Sequence, residues 1–84
     1  MKTYTILIHN STSGSTRKDT GTLQELIEHF KYTLEVGKSW QHEKGNKKID
    51  MSPKSIKSLV KNLNNAKQNA AANGYSNISY ELGE

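Results

Sequence analysis

Residues 3–10 and 76–82 both alternate apolar and polar side chains, and they stand at opposite ends of the chain. Tyr4, Ile6 and Ile8 share one face of the first segment, against Thr3, Thr5, Leu7 and His9 on the other. Ser76, Ile78, Tyr80 and Leu82 share one face of the second, against Tyr75, Asn77, Ser79 and Glu81. A period of two in β-branched and aromatic residues predicts strands. A strand with one apolar face needs a neighbour for its backbone and a cover for that face. Both terminal strands are therefore expected in one sheet, and the chain between them supplies the cover.

That intervening chain carries two helical patterns. Thr22 and Glu25 have capping-box spacing. Leu23, Leu26, Ile27, Phe30 and Leu34 follow as one apolar stripe, predicting a helix over 23–36 with Gly37 as its stop. Ser52 and Pro53 read as the N-cap and first position of a second helix. Its stripe is Ile56, Leu59, Val60, Leu63, Ala66 and Ala70, and Asn73-Gly74 reads as its close, with Gly74 as a left-handed cap. Asn10 to Gly14, NSTSG, is turn chemistry, and residues 15–20 can return as a polar second strand. Residues 38–51 fit either a small hairpin around Gly45-Asn46 or an irregular loop anchored by Trp40 and Ile49. The expected fold is a single α+β domain over 1–84: a three-stranded, mainly antiparallel sheet with two helices on one face. Its order is strand, strand, helix, loop or hairpin, helix, strand.

At 84 residues with no cysteine, the chain has a thin core and neither disulfides nor thiolate metal sites. No run approaches the roughly 18 apolar residues of a membrane span. MKTYTILIHN lacks the apolar length and small-residue cleavage site of a signal peptide. A soluble cytoplasmic protein with no membrane partner is expected. Motifs that carry catalysis are missing. VGKSW holds a GKS triplet but no upstream glycine of a phosphate loop, SGS at 13–15 is turn composition, and neither HExxH nor GxSxG occurs. His9, His29 and His42 come from three separate elements, so no metal site is expected. A binding protein rather than an enzyme is the expectation, with no cofactor.

The net charge of +4 is unevenly spread. Residues 38–67 hold eight lysines against Glu43 and Asp50, for +6, while the remainder sums to −2. Lys54, Lys57 and Lys61 recur at spacings of three and four on the outer side of the second helix, Asn65 and Gln68 continue that face, and Lys47 and Lys48 precede it. Such a face can neutralise phosphates, with Asn and Gln adding base-edge hydrogen bonds. It also fits a solvated helix surface or an acidic protein partner. Trp40, the single tryptophan, reads as a plug for an apolar-poor loop; the alternative is an exposed anchor for a partner. Tyr32 and Val36 lie four apart, on the side of their helix away from Leu23, Ile27 and Phe30. That pair is either covered by residues 38–51 or used as a partner or homodimer surface.

Residues 32–66, YTLEVGKSWQHEKGNKKIDMSPKSIKSLVKNLNNA, resemble a recurring block in small uncharacterised proteins of tailed bacteriophages, as do the preceding strand and helix. The resemblance implies a role and no site residues: docking on a host component such as a nuclease, polymerase or defence complex, to inhibit or redirect it. The leading expectation is a non-enzymatic protein that docks on a host protein. Its contact would be the lysine-rich helix face, the segment from Trp40 to Ile49, or the Tyr32/Val36 patch. The alternatives are direct DNA or RNA binding by Lys47, Lys48, Lys54, Lys57 and Lys61, and nucleotide capture with Trp40 stacking on the base.

Overall fold

β1, Tyr4–Asn10, is the central strand of a three-stranded antiparallel sheet in a computed structural model that describes residues 2–71 and 77–83. β2, Ser15–Gly21, pairs on one side of it and β3, Ile78–Gly83, on the other. The α+β class, the broad succession of strands and helices along the chain and the placing of both terminal strands in one sheet follow the sequence pattern. The turn into β2 is held by Asn10, whose side-chain oxygen accepts from the backbone N–H groups of Thr12 (3.0 Å) and Ser13 (3.2 Å). Gly14 ends the turn at φ 71°, a left-handed conformation that glycine adopts without steric cost.

Register decides which side chains face the helices. Ile6 lies opposite Asp19 and Leu82, and Ile8 opposite Arg17 and Tyr80. Directly opposed residues share a face, so β2 sends Arg17 and Asp19 to the same side as the apolar row of β1. Ile6 is fully buried there. Tyr80 is buried as well and meets the Phe30 ring edge-on, with centroids 5.5 Å apart.

The expected helix over 23–36 is divided. α1 runs Leu23–His29 and α2 runs Lys31–Ser39, with Phe30 between them at φ −103°, ψ 12°. The capping box forms as read: the Glu25 carboxylate accepts from the Thr22 N–H at 2.9 Å, and the Thr22 hydroxyl accepts from the Glu25 N–H at 3.2 Å. The break has a packing cause. α1 lies against β2, whereas α2 lies against the last helix, α3, Ile56–Ala71. A straight stripe cannot follow both, and the bend at buried Phe30 turns the chain from one to the other.

Gly37 does not stop the helix. It is buried inside α2, where a Cβ would stand 2.3 Å from the Ala66 Cβ and 2.4 Å from its Cα. Here glycine serves close approach of two helices rather than termination.

α3 starts later than expected. Ser55, not Ser52, fills the N-cap role: its hydroxyl accepts from the Ser58 N–H at 3.1 Å and its carbonyl from the Leu59 N–H at 3.0 Å. The Ser52 N–H is instead taken by the Asp50 carboxylate at 2.9 Å, and Pro53 is buried in the loop. The expected cap at Gly74 and the start of the last strand at Ser76 lie outside the described residues.

The segment between α2 and α3 is an irregular loop, not a hairpin. Buried asparagines of α3 hold it. The Asn69 side-chain oxygen accepts from the Lys47 N–H at 2.8 Å, and its amide donates to the carbonyls of Lys47 (2.7 Å) and Gly37 (3.0 Å). Asn62 accepts from the Asp50 N–H at 3.3 Å. The spacing explains the fit. Seven helical residues rise about 10.5 Å, and three extended residues span about 10 Å, so Asn62 and Asn69 meet Asp50 and Lys47 in turn. Between them the loop inserts Ile49, 3% exposed, into the core, its N–H donating to Gln41 at 3.1 Å. Leu26, Leu34, Leu59 and Leu63 complete that core.

Candidate functional site

The close contact of Gly37 with Ala66 brings α2 and α3 together along a floor of small side chains. On the open side of that contact Tyr32, Val36 and Trp40 follow one another at intervals of four, which places them on one face of α2. With Ala66, Ala70 and Lys67 of α3 they line a groove of about 360 Å³. Tyr32 is 77% exposed, and Val36 and Trp40 are half-buried. Trp40 is not part of the core cluster. The plug expected of it is Ile49; the indole closes the end of α2 and faces the groove. The 38–51 segment leaves Tyr32 uncovered.

The lysines divide by helical geometry. Lys57 and Lys61 are exposed one turn apart on the outer side of α3, with Gln68 exposed and Asn65 half-buried on the same side. Lys47 and Lys48 are exposed on the loop strand that Asn69 ties to α3. Lys54 is exposed too, but because α3 begins at Ile56 it belongs to the loop and does not extend the helical row. None of these lysines forms an ion pair among the described residues, where the ion pairs are His9 with Glu81 (3.4 Å) and His29 with Asp19 (3.1 Å).

Lys67 departs from that outer face. Four positions after Leu63 and one after Ala66, it sits at the edge of the apolar stripe, half-buried. Burial lowers its ammonium pKa below the ordinary lysine value. It lines the α2/α3 groove and also a second cleft of about 400 Å³ between the helices and the sheet. In that cleft Arg17 and Asp19 arrive from β2, His29 and Thr33 from either side of the Phe30 break, and Tyr80 from β3. The Asp19 carboxylate accepts from the His29 ring nitrogen Nδ1, with both oxygens at 3.1 Å. Burial pushes the Tyr80 phenol pKa up, while the Thr33 hydroxyl and the Arg17 charge pull it down.

Sequence reading missed this second constellation. The one legible signal was Lys67 itself, a charge on the border of an apolar stripe. Arg17 and Asp19 sit in a strand polar throughout, and only register shows that they face inward. Among the described residues no three His, Asp or Glu side chains come together as a metal cluster, and no helix is long and apolar enough to cross a membrane. No family model, curated protein or solved structure matches the chain.

Proposed function

We propose that the protein is a non-enzymatic docking module that holds a partner protein in the groove between α2 and α3. The observation that carries this reading is the convergence of Tyr32, Val36 and Trp40 in one open groove, where an exposed tyrosine and a half-exposed tryptophan stand beside a half-buried cation. Aromatic side chains in such settings provide large contact area with little conformational entropy to lose. Lys67 and the net charge of +4 favour a partner segment that brings apolar side chains to the groove and a carboxylate to its rim. The sequence resemblance to small tailed-phage proteins is the ground for naming a host protein as that partner, with inhibition or redirection as the outcome.

The test uses the single tryptophan as both anchor and reporter. Capture of a partner should survive nuclease treatment and shift the Trp40 emission. Tyr32→Ala and Trp40→Ala should each weaken it by about 2 kcal/mol or more, as loss of a central anchor does. Capture undiminished in both variants would overturn the proposal.

A second reading, direct DNA or RNA binding, rests on the unpaired lysines 47, 48, 57 and 61. Anisotropy titrations of single-stranded DNA, duplex DNA and RNA at two salt concentrations address it. Counterion release makes such binding weaken steeply with salt, and Lys57→Glu with Lys61→Glu should abolish it.

A further inference from the structure

We infer that the cleft between the sheet and the α1/α2 break is a binding site for a small phosphate monoester, its phosphate held by Arg17 and Lys67 with the hydroxyls of Tyr80 and Thr33. The cleft is separate from the groove proposed for a partner protein and shares only Lys67 and Thr33 with it.

Asp19 is the carboxylate of this cleft, and His29 occupies both of its oxygens at 3.1 Å. Arg17 and Lys67 form no ion pair with any described carboxylate. Arg17, Lys18 and Lys67 therefore line one concavity against a single carboxylate, which leaves the cleft net positive, and Lys67 is half-buried. A desolvated ammonium is unfavourable until an anion joins it, so this arrangement stabilises the fold less than a neutral side chain would and favours a bound anion.

Geometry specifies the anion further. The rows of the sheet place Arg17, Ile8 and Tyr80 side by side, so the guanidinium and the phenol border the same apolar strip. Arg17 brings a planar fork of donors that suits phosphate oxygens. The phenol and the Thr33 hydroxyl add donors that a tetrahedral oxyanion can use, and the excess of cations over the one carboxylate in the lining favours an anionic ligand. A volume of about 400 Å³ exceeds what a phosphate alone fills and lies in the range of small-molecule sites. The surplus is bordered by Ile8, Phe30 and Ile78. An apolar floor with a cationic rim accommodates an ester whose organic part lies on the floor, as the body of a nucleoside monophosphate would.

Three probes test this on the intact protein: inorganic phosphate, a nucleoside 5′-monophosphate, and the same nucleoside without phosphate. Amide chemical shifts and melting temperature are the readouts. The monophosphate should give saturable shifts at Arg17, Thr33, Lys67 and Tyr80, phosphate weaker shifts at the same residues, and the nucleoside none. Arg17→Ala and Lys67→Met should each reduce affinity by about tenfold or more. Lys57→Ala with Lys61→Ala should leave it unchanged. Equal binding of the bare nucleoside would overturn the proposal, as would absence of saturation by the monophosphate at about 1 mM. An equal loss in the Lys57/Lys61 variant would also overturn it, by assigning the binding to diffuse surface charge. Lys67→Met removes a desolvated charge and should remain folded, so its loss of binding is not a loss of structure. Trp40→Ala separates the two proposals, since it should weaken partner capture and leave monophosphate binding intact.

Discussion

Gly37 and Ala66 meet at backbone distance: a methyl group on Gly37 would stand 2.3 Å from the Ala66 Cβ and 2.4 Å from its Cα. The contact sets the separation of α2 and α3, and with it the floor of the groove beneath Tyr32, Val36 and Trp40. Gly37→Ala is expected to force the helices apart and destabilise the protein by about 1–3 kcal/mol, the usual range for overpacking. Adding Ala66→Gly should restore only part of this, because the Ala66 Cα remains in the way and glycine weakens α3. Urea denaturation of the two variants checks both statements.

Asn69 is the principal fastening of the loop. It accepts one backbone hydrogen bond and donates two, linking Lys47 and Gly37 to α3. Asn69→Leu should destabilise by about 2–4 kcal/mol, since each buried backbone group left without a partner costs about 1–3 kcal/mol. The amide of Lys47 should then exchange with solvent much faster, while amides in β1 change only with the global stability. Uniform acceleration would argue against a local fastening.

Asn64 supports the sheet from outside. Its side-chain oxygen accepts from the Tyr80 N–H at 2.8 Å and its amide donates to the Tyr80 carbonyl at 2.9 Å, so it acts as a strand partner on the free edge of β3. Asn64→Ala exposes that pair of edge groups, which invites pairing between chains. We expect a loss of about 1 kcal/mol and a concentration-dependent increase in apparent mass by light scattering.

The capping box gives α1 a pH dependence. Glu25 titrates below the ordinary glutamate value, chiefly through its hydrogen bond to the Thr22 backbone and then through the Thr22 hydroxyl. A carboxylate whose folded pKa is depressed stabilises above its unfolded pKa, and that contribution fades as pH falls through the folded value. Carbon-detected titration of the Glu25 carboxyl should show the depression, and Thr22→Ala should raise the pKa toward the ordinary value by removing the hydroxyl.

Lys67 runs the other way. Burial lowers its ammonium pKa, so the native state binds fewer protons than the unfolded state between the two values, and stability rises with pH across that window. At neutral pH the charged form is a small liability. Lys67→Met should raise the melting temperature modestly and flatten this alkaline rise, measured by thermal unfolding at several pH values.

Sequence by itself determined the elements whose signals are local. The alternation of Tyr4, Ile6 and Ile8, the Asn10–Gly14 turn, the Thr22/Glu25 box and the stripe from Ile56 to Ala70 each depend on neighbours within a few residues, and each stands where it was read. Tertiary structure decided what depends on distant partners. Gly37 looks like a helix stop until Ala66 is placed against it. Phe30 looks like one more stripe position until β2 takes α1 one way and α3 takes α2 another. Asn62, Asn64 and Asn69 look like polar filler on a basic helix until backbone from the loop and from β3 arrives within hydrogen-bond reach. The two concavities followed the same division. Tyr32 and Val36 are neighbours by helical period, so that pair was legible, but Trp40 joins them only because α2 continues past Gly37 to Ser39, and whether they were covered depended on the path of residues 38–51. Arg17, Lys67 and Tyr80 come from β2, α3 and β3, and only strand register and helix packing bring their charges and hydroxyls into one cleft.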